Sequence, residues 1–478
     1  MKFNTAIVLI TLAQSSFTLC AYATEAEAFM NQLKEHYHLT SSITAFSLTH
    51  SYLGRSDPYQ SWDFQSPSRY KAFKVTDIDM EKKHYYQNVV HHNTGGLYFD
   101  EIHFQNSDES LRYERNGISL GKVAIEQNMS SFERYKNLTL MNLDFFAVKP
   151  LLAETEIGAK IDFQLDNESG KATLSHRYTD NNIMEYVFNT APLRLKSINN
   201  KARKRIYLYD DYRTSNGYHF AHSLIKYYNE EPIPSFITRI EKFEILEQID
   251  EEKLTLPGGY NKMSSEPIRE LASHQIAQNL YLVTDDSSKV NTLFKVNGNN
   301  IMVFGVPMNS KIAEQTLSII EQKFPDKVIS GVFVTHPYSE HIAGLLPYVE
   351  QGAKVYADAY TISAIKVYPR FAKAIEQFSF ETITHEQEIE GVQFYVLESA
   401  RAKRQSFAYF KQSGVVFQAD FLEVANDNTI ANILPSYSKQ FIDFVRNKQL
   451  KVNRIVSNHR NNNISAEVMN KSYDANTM

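Results

Sequence analysis

The sequence predicts an α+β protein in which an antiparallel, half-barrel-like β domain precedes an αβ/βα sandwich. Turn-separated runs of β-forming residues fill the first half of the chain, as at Lys171–Tyr178 and Tyr218–Tyr227. Strand-like and helical segments interleave in the second half, as at Ile301–Phe304, Ser310–Phe324 and Val328–Val334. The 478 residues also exceed the length of one ordinary domain. We therefore expect two domains of different architecture.

The N-terminus has the pattern of a secretory signal peptide. A basic residue precedes the apolar run Ala6–Ala13, and small residues at Ala21 and Ala23 predict cleavage after Ala23. The run is too short for a permanent anchor, and no later stretch is long enough to be transmembrane. Acylation of Cys20 as a lipoprotein is the alternative, but Leu19 stands where such signals carry a small residue. We expect a periplasmic or secreted protein.

The composition excludes several classes of function. A net charge of −5 and a pI near 6.3 give no reason to expect nucleic acid as a partner. Cys20 is the single cysteine, so the predicted mature chain has no disulfide, no cysteine-ligated zinc and no cysteine nucleophile. The apolar share of 43% is that of a soluble globular protein. Nothing in the sequence indicates the oligomeric state.

The domain limits follow from changes in pattern along the chain. Thr24–Tyr37 has the spacing of one amphipathic helix, and turn-separated strands follow it. A polar stretch after Pro257 predicts a linker. In the second domain, Ser310 is a candidate helix cap and Tyr360–Phe378 is a predicted helical stretch. The predicted division is a signal peptide at 1–23, a β-rich accessory domain at 24–260, a linker at 261–267 and the sandwich domain at 268–478.

Two segments of the first domain resemble the LolA-like periplasmic lipoprotein-carrier folds. These are the hairpin segment Asp211–Tyr218 and the closing segment Ile249–Tyr260. The resemblance implies an open curved sheet whose concave face holds an acyl chain. A β-rich accessory domain that only packs on its neighbour is the alternative. A concave face lined with charge would argue against lipid capture.

Candidate metal ligands cluster in Val332–Gly344. An apolar run ends there in a loop that carries His336, Glu340 and His341. A strand that fixes the backbone, followed by a loop that aims side chains, is typical of metal and catalytic sites. The segment therefore predicts the functional site of the second domain.

The same segment resembles the metal-binding signature of the metallo-β-lactamase superfamily, Thr-His-x-His-x-Asp-His. His336 matches its first histidine and His341 its last, while Tyr338 replaces the second histidine and Glu340 the aspartate. The order of predicted elements extends the resemblance over Leu280–Arg460. It implies the sandwich fold and a hydrolase that uses metal.

The resemblance also implies how many ions such a site would hold. One family pocket has lost two of its three histidines, because Tyr338 replaces one and the loop 398–403 lacks the other. The second pocket keeps a plausible set, for which the resemblance implies Glu340, His341, Asp420 and His459 as metal ligands. Two imidazoles and two carboxylates suit Zn²⁺, with Fe²⁺ or Mn²⁺ as alternatives. We expect one ion at most.

Two functions remain open from the sequence. The first is an exported hydrolase that cleaves an ester- or amide-type bond of a small-molecule or lipid-like substrate through a metal-bound water. In it, Asp420 or His336 carries the proton, Tyr338 donates to the oxyanion, and Arg401 or Lys403 supplies positive charge. The second is an inactive envelope protein whose first domain captures a lipid or peptide. It is favoured by the departures from the signature, including Gly305 where the family has an aspartate.

Overall fold

The fold is known from a computed structural model that describes residues 25–179, 181–264, 270–306 and 308–476. The predicted signal peptide at 1–23 and residues 265–267 of the predicted linker lie outside the described residues. No helix within these ranges has the length and apolar character needed to cross a bilayer. We call 25–264 the N-terminal half and 270–476 the C-terminal half.

The chain is rich in β-strands and also carries helices, as the sequence predicts. The helices are 25–36 (α1), His38–Ser41 (α2), Ser131–Leu140 (α3), Asp144–Ala147 (α4), Lys149–Leu152 (α5), Ser310–Lys323 (α6), Ser339–Ile342 (α7), Leu346–Glu350 (α8), Ala359–Lys366 (α9), Ser436–Asn447 (α10) and Ala466–Asp474 (α11). The strands of the N-terminal half are Ala45–Arg55 (β1), Arg69–Asp79 (β2), His84–His92 (β3), Tyr98–Gln105 (β4), Ser110–Glu114 (β5), Val123–Glu126 (β6), Ile161–Asp166 (β7), Lys171–Thr179 (β8), Asn182–Thr190 (β9), Leu193–Asn200 (β10), Arg205–Ser215 (β11), Tyr218–Tyr228 (β12), Phe236–Ile245 (β13) and Asn261–Met263 (β14). Those of the C-terminal half are Ala272–Ala277 (β15), Leu280–Thr284 (β16), Asn291–Asn297 (β17), Asn300–Phe304 (β18), Val328–Phe333 (β19), Lys354–Ala357 (β20), Phe380–Thr382 (β21), Gln387–Ile389 (β22), Val392–Leu397 (β23), Gln405–Phe410 (β24), Val415–Gln418 (β25) and Arg454–Ser457 (β26).

The N-terminal half forms one 14-stranded sheet in the order β14-β6-β5-β4-β3-β2-β1-β13-β12-β11-β10-β9-β8-β7. Its neighbours are antiparallel, except that β14 pairs in parallel with β6. Strand β1 lies in the middle because it pairs with β2 on one side and β13 on the other. The sheet therefore continues to Met263, three residues into the predicted linker.

Helices cover part of one face of this sheet, which we call the inner face. Phe46 of β1 packs on Phe146 of α4 and on Phe243 of β13, with ring centroids 5.1 and 5.6 Å apart. Phe29 of α1 packs against Phe163 and Phe188 in the same core. Because side chains alternate along a strand, every second residue of β1 faces this core. The inner face is therefore closed by helices at this end.

The C-terminal half has four layers, in the order helices, sheet, sheet, helices. A mixed seven-stranded sheet, β15 to β21, faces a five-stranded sheet, β22 to β26. The core between the sheets contains Phe304 and Phe333 from the first and Phe394 from the second. Helices α6, α8 and α9 pack on the outer side of the first sheet, and α10 and α11 on the outer side of the second. These layers place the ends of β19, β25 and β26 near one another.

Two predicted helix limits differ from the structure. Asn309 caps α6 because its Oδ1 accepts from Ile312 N at 3.1 Å, so the cap is one residue before the predicted Ser310. The stretch predicted as helical at Tyr360–Phe378 ends its α-helix at Lys366, and single 3₁₀ turns follow. Pro369 explains the break, since proline disfavours helical backbone in the residue before it.

The β1–β2 connection, residues 56–68, joins the two halves. Tyr59 enters the core of the C-terminal half, where its hydroxyl donates to Ala364 O at 3.2 Å and its ring lies 4.5 Å from that of Tyr368. Trp62 Nε1 donates to Ser399 O at 2.9 Å. Asp63 accepts from Lys403 Nζ at 2.7 Å. The connection thus supports the 399–403 loop beside the candidate site.

Candidate metal centre

Three strand ends bring the candidate ligands together. His336 follows β19, and the short helix α7 then returns His341 to the same place. Asp420 follows β25, and His459 follows β26, which pairs in parallel with β25. Parallel neighbours end at the same edge of a sheet, so loops far apart in sequence meet there. This edge is the candidate metal centre.

His336, His341 and Asp420 form a compact group in which one donor atom from each lies within 4.8 Å of the others. His336 Nε2 is 3.6 Å from Asp420 Oδ2, and His341 Nε2 is 3.6 Å from Asp420 Oδ1. Such distances are too long for N–H···O hydrogen bonds. When a tetrahedral ion has bonds of about 2.05 Å to its ligands, two ligand atoms are roughly 3.3 Å apart, and the observed distances are close to that value. The geometry therefore fits ligands of one ion better than a hydrogen-bonded cluster.

Each histidine uses its other nitrogen for a protein partner. His341 Nδ1 lies 2.7 Å from Asn458 Oδ1, and Asn458 Nδ2 donates to Asn291 O at 2.8 Å. The amide nitrogen of Asn458 is committed to a carbonyl, so Asn458 Oδ1 must accept a hydrogen bond from His341 Nδ1–H. In neutral His341 the lone pair is then on Nε2. His336 Nδ1 lies 3.1 Å from Thr335 Oγ1. Such outer partners fix the ring orientation of metal-ligating histidines.

The two Nε2 atoms are buried and without a partner among the described residues. The side chains of His336 and His341 are 0% and 2% exposed, so water does not satisfy them at the surface. Buried polar atoms without partners are rare and costly. A cation bound between the two rings would satisfy both.

Asp420 is the carboxylate on which the group converges. Its φ of 58° is unusual for a residue with a side chain and is the kind of backbone strain found at functional sites. Arg401 Nη2 lies 3.1 Å from Oδ2, and His459 Nε2 lies 2.9 Å from Oδ1. Burial alone would raise the pKa of Asp420, but the charge of Arg401 and the contacts with the three histidines, of which only that of His459 is at hydrogen-bond distance, outweigh it and hold this pKa well below its usual range. Asp420 is therefore ionised.

The protonation of the two histidines follows from burial and charge. Burial and the neighbouring His341 lower the pKa of His336 to about 4, against the opposing effect of Asp420. Neutral imidazole is the form that binds a metal ion. For His341, burial lowers the pKa but the contacts with Asp420 outweigh it, so its pKa lies above the usual value. A cation entering the site would displace that proton.

Two predicted catalytic side chains lie at the wall of the site. The guanidinium of Arg401 stacks 5.0 Å from the ring of Tyr338, and Tyr338 donates its hydroxyl to Arg401 O at 2.8 Å. Burial raises the pKa of Tyr338 to about 12. Tyr338 thus holds the loop that carries Arg401, and its hydroxyl is committed to a main-chain carbonyl.

Glu340, predicted as a ligand, lies outside the compact group. Its carboxylate accepts from Gln60 Nε2 and, at 3.3 Å, from Ser339 Oγ. Lys403, the alternative to Arg401 as a source of charge, is paired with Asp63 instead. The sequence predicted neither partner, since both lie in the β1–β2 connection. The sequence also did not predict Asn458 as the partner of His341, although Asn458 lies next to His459 at a strand end.

No family model and no curated protein matches this chain. Among solved structures, it is similar to DIM-1 metallo-β-lactamase with a TM-score of 0.35 and 14% identity over 44% of this chain and 98% of that one. For the same enzyme exposed to ceftazidime, the TM-score is 0.34 and the identity 12%, with the same coverage of both chains. For TMB-1, the TM-score is 0.33 and the identity 14%, over 44% of this chain and 97% of that one.

Proposed function

We propose that this protein is a hydrolase that uses a single divalent metal ion, held by His336, His341 and Asp420. The observation that carries the proposal is the pair of buried Nε2 atoms, each 3.6 Å from one oxygen of the same carboxylate. Two imidazoles and a carboxylate, with a further position open, form a ligand set of catalytic zinc sites. Fe²⁺ and Mn²⁺ suit the same donors. The bond cleaved is of the ester or amide type.

The surrounding side chains supply the remaining chemistry. When bound, such an ion supplies Lewis acidity and activates water for attack. Arg401 holds a permanent positive charge 3.1 Å from Asp420 and is placed to stabilise negative charge that develops in the substrate. His459 contacts Asp420 and is 22% exposed, so it is placed to exchange protons with solvent. His336, fully buried, serves as a ligand in this scheme.

Glu340 and Gln60 belong to the rim in this proposal. Their contact joins the β1–β2 connection to helix α7, which carries His341. The substrate would then meet residues from both halves of the chain. We further propose that residues 1–23 direct export and that the hydrolase acts outside the cytoplasm.

Capture of a lipid or peptide by the N-terminal half is the competing function. Helices fill one end of the inner face of the 14-stranded sheet. Basic side chains, Lys74 and Lys226, lie elsewhere on this face beside the α3–α4 connection, where an acyl chain would bury them at a cost.

The proposal is tested by metal content after reconstitution with Zn²⁺, Fe²⁺ or Mn²⁺ and removal of excess ion. Wild type should retain about one equivalent, and H336A, H341A and D420N less than about a tenth, because each removes a ligand. The matched controls are E340Q and H385A, the latter in an exposed histidine. Both should behave like wild type. Wild type that binds less than a tenth of an equivalent of every ion would sink the proposal.

Hydrolysis is the second readout. Purified wild type should cleave members of a panel of chromogenic carboxyl and phosphate esters, amides and thioesters. D420N should lose that activity while H385A keeps it. A metal-loaded protein that cleaves none of the panel would instead support a binding function for the same site.

A further inference from the structure

A group of basic side chains lies on the inner face, beside helix α3. His50 and Lys74 face each other across β1 and β2, in the same pleat row that places Phe46 opposite Ile78 in the core. Lys226 of β12 donates to Asn142 Oδ1 at 2.9 Å. Arg205 of β11 pairs in register with Tyr228 of β12, and its guanidinium lies 4.8 Å from that ring. We call His50, Lys74, Arg205 and Lys226 the basic patch.

No carboxylate of the described residues forms an ion pair with the three cations of the basic patch. The acidic group that acts on Lys74 is Glu101, which is already bound to His103 at 3.2 Å and Arg112 at 3.6 Å. His50, 5% exposed, has an Nδ1 atom without a partner in the described structure. Partly buried positive charge without compensation is unfavourable unless a ligand neutralises it.

The protonation equilibria show the same uncompensated charge. Burial lowers the pKa of Lys74 to about 8. The pKa of Lys226 is lowered to about 8 by burial and by the charges of Lys74 and Arg205. Burial and the two lysines lower that of His50 to about 3. The groups therefore repel one another in a place that solvent screens poorly.

A groove of about 390 Å³ adjoins the basic patch through Arg205. Arg134 and Arg203 also line it, and neither forms an ion pair within the described structure. Its apolar wall includes Met141 and Tyr207, and its described lining contains no carboxylate. This volume suits a small ligand, and positive charge dominates its polar lining.

We propose that the basic patch and this groove bind a ligand through a phosphate monoester group. A dianion neutralises two of the clustered charges, which a single carboxylate does not. Arg205 offers a planar pair of donors that matches phosphate, and the two lysines act as point charges. The site lies on the sheet of the N-terminal half and requires none of the candidate metal ligands.

The test titrates the full-length chain with inorganic phosphate and with glycerol phosphate at constant ionic strength, by calorimetry and by shift of the unfolding temperature. Wild type should bind both saturably. K74M and K226M should each weaken binding at least about tenfold, because each removes a charge-assisted contact. Without phosphate, both variants should unfold no lower than wild type, since they relieve repulsion.

The matched control is K71M, on the same strand as Lys74. Lys71 is exposed, and its ammonium lies 4.4 Å from the Phe73 ring, on the face opposite to the basic patch. K71M should bind phosphate like wild type. Should K74M or K226M not fold, R205M provides the same comparison from β11.

Two further arms separate the possible ligand sources. Vesicles with phosphatidic acid, against phosphatidylcholine alone, probe a lipid headgroup, and glycerol phosphate probes a soluble metabolite. Vesicle binding that K74M loses identifies a lipid headgroup, and binding of glycerol phosphate without vesicle binding identifies a soluble phosphate ester. H341A, which lacks a metal ligand, should bind phosphate normally, so a failure of the proposed metal site is distinguishable. Wild type that binds none of these probes, or K74M, K226M and K71M that bind equally, would overturn the proposal.

Discussion

Arg401 Nη2 lies 3.1 Å from Asp420 Oδ2, so a guanidinium shares one buried carboxylate with the candidate metal ligands. The Arg401 side chain is 15% exposed and that of Asp420 is 2%. A buried charge with one partner removed is far more costly than an exposed one. This pair therefore contributes to folding and sets the charge of the site.

Substitution of Arg401 by methionine should destabilise the metal-free protein by about 3–5 kcal/mol, because Asp420 stays buried without its strongest partner. Saturating Zn²⁺ should recover part of the loss, since an ion supplies the missing positive charge. Urea denaturation with and without Zn²⁺ measures both effects. The control R404M breaks the exposed pair with Glu398, at 44% and 64% exposure, and should have little effect. Equal stability of R401M and wild type would contradict the role of the pair.

Asn458 should control metal affinity without being a ligand. N458A removes the acceptor of His341 Nδ1–H, so we expect Zn²⁺ affinity to fall about 10–100-fold. N458D keeps an acceptor at that position and should bind more tightly than N458A. N463A, in an exposed asparagine of the same loop, is the control. Competition with a chelating dye gives the affinities, and an unchanged value for N458A would rule this role out.

Tyr59 should hold the two halves together. Y59A empties a site that is 7% exposed, so we expect a loss of about 3–5 kcal/mol. Y59F removes only the hydrogen bond to Ala364 O and should cost about 1 kcal/mol. If the β1–β2 connection couples the halves, Y59A should also split calorimetric unfolding into two transitions. A single transition at the wild-type temperature would show that the contact is dispensable.

Asp144 should make folding stability depend on pH in the acidic range. Its pKa is raised to about 6 by burial, although Ala221 N–H donates to it at 3.1 Å. Between the ordinary carboxyl pKa of about 3.9 and this value, the folded state binds more protons than the unfolded state. Stability should therefore fall as pH rises from about 4 to 6 and change no further above that, by about 2–3 kcal/mol in total.

The variant D144N keeps the size of the side chain but does not titrate. The free energy of unfolding, measured in urea at pH 4, 5, 6 and 7, should lose this slope relative to wild type. D162N, in a side chain that is 75% exposed, should keep it. The same slope in D144N and wild type would exclude Asp144 as its source.

Much of the fold was predictable because it depends on local patterns. Alternation of apolar residues marks strand β8, and a helical period marks α6. The helix limits were less predictable, because the cap at Asn309 and the break before Pro369 depend on one or two residues. Most neighbours in the 14-stranded sheet are consecutive in the chain, but the β1–β13 and β14–β6 pairs join segments far apart, which no local pattern encodes.

The candidate site divides in the same way. The sequence pointed to His336, His341, Asp420 and His459 because they follow predicted strands. The structure brings these four side chains together. The sequence could not show that Glu340 contacts Gln60, 280 residues earlier. Nor could it show that Nε2 of His336 faces Asp420, because that distance depends on how two sheets pack.

The sequence by itself determined that residues able to bind a metal ion follow buried strands in a β-rich protein. Side-chain periodicity fixes which residues face a core, and chemistry fixes what the remaining ones can bind. Only the tertiary structure decided which of them meet. It joined His336, His341 and Asp420 at one sheet edge, held Glu340 at the rim, and gathered His50, Lys74 and Lys226 on one face. The reason is physical, since contacts between distant segments depend on the packing of whole layers rather than on local sequence.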